Sequence, residues 1–461
     1  MAIRRLFIAN RGEIAVRINR AARELGMTVI QAHSEADAKS LAVALADEAV
    51  AIGPPQAAKS YLNVEAVVAA AKASGADAVH PGYGFLAENA RFAEAVEAAG
   101  LIFVGPVGDT IRLLGDKVSA REAAAKAGVP VVPGSEGRIG DLAEAGRLAR
   151  EIGFPVLIKA AAGGGGRGIR IVEAEAELDR NLGQAAAEAQ AAFGDGGLYL
   201  EKAITRARHI EVQILGDGKR VVHCFERECS LQRRRQKVWE EAPASTLDAT
   251  HRAHITAAAV ALAESVGYRG AGTVEFLYDD VTGAFYFLEV NTRIQVEHPV
   301  TECITGLDLI QAMLRIAGGE PLTLRQEDVR LTGHAIEVRL NAEDPAKNFL
   351  PFPGTISELR VPGGPGVRFD SLLYPGYAIP PFYDSLLGKL IVWAEDRPRA
   401  LARLKRALQE LRIEGVKTTA PLFQALVDDA DVRSSSVHTR WLEGWLAASK
   451  PEEPRREARA G

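Results

Sequence analysis

Over residues 1–114 the apolar positions fall into two alternating textures. Short unbroken runs, "RRLFIAN", "TVIQAHS", "ADAVHPGYG" and "LIFVGP", read as strands. Between them "EIAVRINRAARELG", "VEAVVAAAKASG" and "NARFAEAVEAAG" repeat apolar residues at helical spacing and close on glycine. Strands separated by amphipathic helices predict a parallel α/β domain with helices on both faces. The layout is Rossmann-like, but the loop after the first strand is "ANRGEIA" and carries no GxGxxG, so no dinucleotide site is expected there.

From about residue 115 the texture changes to α+β. "DKVSAREAAAKAGVPVVPGS" predicts a helix ending at glycine, then a strand broken by prolines. "LAEAGRLAREIG" is a helix, and "FPVLIKA" is a strand that runs into "KAAAGGGGRGIRIV". "IRIVEA", an Ala/Glu helix near 174–193 and the strand "GLYLEKAI" follow. A strand, a glycine loop and a strand do not make a P-loop, because no GK[ST] and no helix follow. The flanking strands make the loop a hairpin tip rather than a linker. Gly163, Gly164, Gly165 and Gly166 then let backbone N–H groups approach phosphate oxygens. Lys159, closing the apolar strand, is either a phosphate ligand or a snorkelling strand end. Residues 331–446 mix β-rich pieces (355–370, 387–394) with helical ones (397–411, 420–428). The charged tail "KPEEPRREARAG" has no apolar anchor and is expected to be disordered.

Composition narrows the class. A chain of 461 residues calls for two to four domains. Its net charge of −5 carries no basic excess that would suit nucleic acid. No apolar stretch approaches membrane-spanning length, and "MAIRRLFIANRGE" lacks the h-region of a signal peptide. Three cysteines, Cys224, Cys229 and Cys303, fit a reducing compartment rather than a disulfide framework. His223, Cys224 and Cys229 lack a second ligand pair, so buried thiols are expected in place of a zinc site. A cytoplasmic enzyme is the expectation.

The richest segment is "GAGTVEFLYDDVTGAFYFLEVNTRIQVEHPVTE", 270–302. Two strand-like runs flank a polar turn and predict a hairpin. Glu275 and Glu289 lie symmetrically about Thr282, which places them near each other on one face with Thr273, Leu277, Phe287 and Asn291. Two carboxylates that close need a shared proton or a cation, and Mg²⁺ with phosphate oxygens fits; exposed edge glutamates are the plainer alternative. In "NTRIQVEHP", Arg293 offers a planar fork to an anion, with Glu297 available as a base beside it. "SLQRRRQKVWEEAPA" reads either as a self-neutralising surface or as part of a site.

"ANRGEIAVR", "HPGYGFLAEN", "GDKVSAREAA", "KAAAGGGGRG", "QRRRQKVWEEAPA", "GYRGAGTVEF", "NTRIQVEHPVTE" and "VRLNAEDP" stand in an order that resembles the biotin carboxylase family over roughly residues 3–446. The resemblance implies an ATP-grasp fold with an N-terminal Rossmann-like (pre-ATP-grasp) domain, 1–114. It implies an ATP-grasp domain, 115–330, with a mobile lid about 131–203, and a β-rich C-terminal domain, 331–446, before the tail 447–461. It implies that ATP phosphorylates bicarbonate to carboxyphosphate, and that the CO2 released carboxylates N1′ of biotin. By the same resemblance ATP binds at Lys117, Lys159, the Gly163–Gly166 loop, Glu201, Lys202, Ile204, His209, Gln232 and Leu277. Mg²⁺ or Mn²⁺ binds at Glu275, Glu289 and Asn291; bicarbonate at Lys237, Arg293, Gln295 and Val296; biotin at Tyr83 and Arg339. Glu297 is implied as the general base, working with Arg293, Lys237 and Arg339.

Two departures from the family stand out. Arg235 replaces a common histidine, and Pro365 replaces a common phenylalanine near the dimer contact that would use Arg17 and Glu24. No Met precedes a Lys, so a biotin carboxyl carrier protein and a carboxyltransferase are expected as separate chains, beside a homodimer of this one. An ATP-grasp carboxylate–amine ligase and a nucleotide-binding regulator are the competing readings. The joint presence of Lys237, Arg293, Glu297 and Arg339 argues against both. Acetyl-CoA is the expected final acceptor, with fatty acid biosynthesis the setting; another acyl-CoA or a non-CoA substrate is the alternative acceptor.

Overall fold

The computed structural model describes residues 3–135, 137–139, 141–160, 169–193 and 196–448. They form two compact units. One comprises Met1–Val129, Arg208–Leu277 and the chain from Leu288 onward; the other comprises Pro130–Ala207 and Tyr278–Phe287.

The first unit opens with the parallel sheet that the apolar runs predict, extended at one edge by Glu48–Gly53, a strand those runs do not include. Its strands lie in the order Glu48–Gly53, Thr28–Ser34, Arg5–Ile8, Ala78–His80 and Ile102–Phe103. Leu6, Phe7 and Ile8 at its centre are fully buried, as both-face coverage by helices requires. Side chains of Asn63, Asn89 and Asp116 accept from backbone N–H groups at the starts of their helices, so those helices begin where the sequence supplies a cap. No glycine-rich dinucleotide turn follows the first strand; the helix Gly12–Glu24 starts there directly.

The same unit carries most of an eight-stranded sheet. Its order is Phe285–Asn291, Arg269–Asp279, Ala207–Asp217, Val221–Arg233, Gln236–Ala242, His334–Asn341, Leu386–Ala394 and Val367–Ser371. Residues of the 331–446 block therefore continue a sheet begun before it, through pairs such as Glu240 with Glu337 and Arg339 with Lys389. One face packs on the helix Arg397–Glu410 through Val338, Leu390, Leu401 and Leu404. The opposite face carries the charged residues considered next.

In the second unit, strands Ile169–Val172, Val156–Ala160 and Leu198–Lys202 form an antiparallel sheet, with Lys159 opposite Ile169. Helices Leu142–Ile152 and Leu178–Phe193 close its core on Ala145, Ala149, Ile158 and Leu200. "KAAAGGGGRGIRIV" is thus flanked by paired strands, as expected of a hairpin; its glycines Gly163–Gly166 lie outside the described residues. The proline-broken strand of "PVVPGS" is reduced to isolated bridges, Val131 with Phe287 and Gly134 with Glu201. Pro130 and Pro133 have no N–H to sustain a ladder there. The helix Trp441–Ala448 enters the segment read as tail, and 449–461 lie outside the described residues.

Leu404 is fully buried between helix and sheet. Leu404→Ala is expected to cost about 2–5 kcal/mol through lost transfer energy and a residual cavity. A lower urea midpoint with an unchanged slope is the expected result.

Candidate active site

A cavity of about 1110 Å³ opens on the charged face of the eight-stranded sheet, within the first unit. Lys117, at the start of the helix Lys117–Lys126, lines it, as do His209, Gln232, Leu277, Tyr83 and Arg235. The hairpin predicted from 270–302 is present: Arg269–Asp279 and Phe285–Asn291 are sheet neighbours, and Asp279 N donates to the Ala284 carbonyl at the turn. Glu275, Leu277, Glu289 and Asn291 all line the cavity, so this face is shared as the alternation required.

Glu275 is the hub of this wall. Its Oε1 accepts from Asn291 Nδ2 (2.8 Å), Gln295 Nε2 (3.0 Å) and Lys237 Nζ (2.9 Å), while Oε2 lies 2.9 Å from His209 Nε2. Burial alone would raise its pKa, but Lys237 and His209 hold the carboxyl well below the usual range. Burial would likewise lower His209, yet Glu275 lifts its imidazole to about 9. Glu289 responds the other way: burial, then repulsion from Glu275, push its carboxyl up. A divalent cation between these two carboxylates would remove that repulsion, so the donor set fits hard-cation chemistry. Ligand atoms of His209, Glu211 and Glu275 also lie within 4.8 Å of one another. Glu211 is already paired with Arg227 and Lys237, and Glu275 with Lys237 and His209, so the carboxyl a cation would relieve most is Glu289, which burial and Glu275 push up. Asn291 is occupied at both ends of its amide, donating to Glu275 and accepting from Arg293 Nη2 at 3.0 Å.

Lys237 reaches this wall because its strand is bulged. Gln232 faces Lys237 and Leu231 faces Trp239, leaving Val238 as an extra residue. The bulge puts Lys237 and Glu240, three apart, on one side, where a regular strand would oppose them. Trp239 turns to the other face and its core. Lys237 then meets three carboxylates: Glu211, Glu275 and Glu297, the last at 2.6 Å. Burial works against its charge, but Glu211, Glu297 and Glu275 keep the ammonium protonated well above the ordinary lysine range.

Glu297 is the N-cap residue of the helix His298–Thr305, and it is fully buried. Its second oxygen accepts from Arg339 Nη2 at 3.0 Å, and Arg339 Nε donates to Glu240 at 2.6 Å. Burial and Glu211 push this carboxyl up, but Lys237 and Arg339 prevail and lower it, so Glu297 stands as an ionised carboxylate. Arg293 lies one turn before the helix, with Nε on Glu88 (2.9 Å) and Nη1 on Gln295 Oε1 (2.9 Å). Val296 turns its carbonyl to Lys389 Nζ (2.7 Å). The Tyr83 hydroxyl donates to Glu13, which is itself paired with Lys389 at 3.0 Å.

In the second unit Lys159 pairs with Glu201, and Lys202 donates to the Gly153 carbonyl at 2.8 Å. Ile204 follows this strand end.

Sequence reasoning did not single out Glu88, Glu211, Arg227 or Glu13, although each supports a residue that it did. Arg227 is fully buried, with Nε on Glu211 (2.6 Å), Nη1 on Gln213 (2.7 Å) and Thr301 (2.9 Å), and Nη2 on Thr273 (3.1 Å). The available signal was charge inside otherwise apolar strands, as in "HIEVQIL" and "HCFERECSL".

Comparison with known proteins follows the chain closely. The biotin carboxylase N-terminal domain matches residues 2–111, the carbamoyl-phosphate synthase L chain ATP binding domain 116–325, and the biotin carboxylase C-terminal domain 337–444. A biotin carboxylase of Pseudomonas aeruginosa is 53% identical over 450 residues, 97% of this chain and 100% of that one. A pyruvate carboxylase subunit of Methanothermobacter thermautotrophicus is 50% identical, covering 95% of this chain and 89% of that one. Among solved structures, the biotin carboxylase domain dimer of Hydrogenobacter thermophilus 2-oxoglutarate carboxylase, in complex with MgADP, ADP and bicarbonate, aligns with a TM-score of 0.86. It is 48% identical, over 98% of this chain and 100% of that one.

Arg227→Met would leave Glu211 short of one buried partner. The expected cost is about 3 kcal/mol of stability. Adding Glu211→Gln should recover much of it in a double-mutant cycle read by denaturant unfolding.

Proposed function

The chain belongs to the biotin carboxylase family, and on that footing we propose that it carboxylates biotin borne on a separate carrier protein, with acetyl-CoA as the final acceptor on a partner transferase. The enzyme is an ATP-dependent ligase of the ATP-grasp class. The observation that carries the site assignment is the fully buried Glu297, held between Lys237 Nζ at 2.6 Å and Arg339 Nη2 at 3.0 Å.

A carboxylate so placed takes the proton of bicarbonate, a weak nucleophile that a base improves. Lys237 and Arg293 supply the positive charge that draws the anion beside it, with Gln295 and Val296 completing its seat. The bond formed joins a bicarbonate oxygen to the γ-phosphorus, and the bond broken releases ADP. Phosphoryl transfer needs positioning and charge neutralisation more than covalent help, and Lys117 lines the cavity for that task. Glu275 and Glu289, with Asn291, are the residues that would hold Mg²⁺, which neutralises phosphate charge when bound. His209, Gln232 and Leu277 are assigned to the nucleotide, as are Lys159, Glu201, Lys202, Ile204 and the Gly163–Gly166 loop. Residues 131–203 are assigned as a lid, because carboxyphosphate must be kept from water. Arg339 is assigned to the biotin enolate oxygen and Tyr83 to the ring's flank.

The acceptor admits a second reading. Relatives at nearly equal identity come from a pyruvate carboxylase and a 2-oxoglutarate carboxylase, so a 2-oxo acid is the competing acceptor. The homodimer is proposed on the similarity to a dimeric domain. Among the described residues no helix is long and apolar enough to cross a membrane. The cytoplasmic setting is proposed on the cysteines: Cys224, Cys229 and Cys303 are all free thiols, which suits a reducing compartment.

ATP hydrolysis is expected to require bicarbonate and to rise with free biotin. Rates indifferent to both would defeat the reading. Glu297→Gln should lower kcat about 10²–10⁴-fold, the range lost with a general base, while calorimetry shows unchanged ATP affinity. Pull-down of the chain's transferase partner, followed by acetyl-CoA, pyruvate and 2-oxoglutarate assays, separates the acceptors.

A further inference from the structure

Beneath Arg339 lies a pair of carboxyls that the proposed chemistry leaves unused. Glu240 and Glu337 are direct partners across antiparallel strands, so both point to the same face. Both are fully buried. Glu240 spends one oxygen on Arg339 Nε at 2.6 Å, and its other oxygen has no hydrogen-bond partner among the described residues. Neither oxygen of Glu337 has one. Like charges directly opposed in a dry sheet are unfavourable, so this pair does not carry two full charges at neutral pH.

The groups around it are mixed in sign. Arg339 and Glu337 come from one strand, Lys237 from the strand of Glu240, and Lys389 from the next strand. Glu297, the N-cap of the helix His298–Thr305, raises Glu240 by its charge, while Cys303 of that helix and Cys229 of Val221–Arg233 feel the charges of Glu337 and Glu240. Arg339 is therefore shared: one nitrogen on Glu240, another on Glu297.

We propose that Glu240 is a positioning residue, which anchors Arg339 through Nε so that the guanidinium neither collapses onto Glu297 nor turns from the cavity. The inference rests on the assignment of Glu297 as base and Arg339 as biotin ligand. An ionised Glu240 draws Arg339 away from Glu297 and repels Glu297, which keeps that carboxylate basic. Burial, then Glu297, raise Glu240 against the pull of Arg339, to about 7, while burial keeps Glu337 protonated well above the carboxylate range. The anchor is thus present above neutrality and weakens as pH falls through about 7.

The test measures biotin-dependent ATP hydrolysis from pH 6 to 8 at constant bicarbonate for the wild type, Glu240→Gln, Glu240→Asp and Glu297→Gln. Glu240→Gln should lose about 10²-fold in kcat, the scale of a misplaced catalytic group, and lose the acid limb near pH 7. Glu240→Asp keeps the charge on a shorter arm, so it should keep the limb at reduced kcat. If Glu240→Gln does not fold, Glu240→Asp decides alone: a wild-type rate overturns the proposal. A wild-type rate and limb in Glu240→Gln, with Glu297→Gln inactive, overturn the positioning role and spare the proposed function. Wild-type turnover in Glu297→Gln instead removes the base assignment beneath both.

Discussion

One buried ammonium organises the site. Lys237 Nζ contacts Glu211, Glu275 and Glu297, which arrive from three different elements. Each carboxylate alone would resist burial, and so would the lysine. Together they offset one another's desolvation, provided the geometry holds. That proviso ties the chemistry to the fold: the bulge at Val238 must aim Lys237, the hairpin must aim Glu275, and the helix start must aim Glu297. Arg227 fixes the far side by gripping Glu211 while reaching Thr273 of the hairpin strand and Thr301 of the helix.

This arrangement explains why the eight-stranded sheet is continuous. Lys237 and Arg339 meet on Glu297, yet they lie on neighbouring strands about a hundred residues apart in sequence. The ladder joining Gln236–Ala242 to His334–Asn341 sets their spacing without a flexible loop. Sites built on regular elements hold their geometry better than sites on loops, and bicarbonate activation needs such placement.

Much of the frame was legible in the chain. The alternating runs of residues 1–114 became a parallel sheet in the order expected of a doubly wound unit, and the 270–302 segment became a hairpin with Glu275 and Glu289 on one cavity wall. The symmetric placement of two glutamates about a turn was enough for that, because strand alternation is rigid. Glu88, Glu211 and Arg227 were not legible. Each acts through a partner distant in sequence: Glu88 reaches Arg293, and Arg227 reaches Thr273 and Thr301. No local period encodes such contacts. The bulge at Val238 was hidden for the same reason, since an extra residue appears only against the facing strand. The broken "PVVPGS" strand was over-read because apolar content outweighed the missing proline donors.

The division of charge within the cavity follows from what each region must bind. Around Glu275 and Glu289 the carboxylates are crowded: burial and Glu275 push Glu289 up, although Lys117, His209 and Lys237 all pull it down. A cation bound along that edge would relieve this crowding. Around Glu297 the balance is reversed. Lys237 and Arg339 sit on its two oxygens, with Arg227 adding positive charge from behind. An anion brought beside Glu297 meets cations already held in place, and the carboxylate it meets is ionised. The two edges share Lys237, so the phosphoryl donor side and the anion side are set by one side chain. A site with this polarity favours a metal-bound polyphosphate at one end and a small oxyanion at the other. Under the proposed function that order suits phosphoryl transfer to bicarbonate, and a carboxylate–amine ligase would have no use for Arg339 beside Glu297.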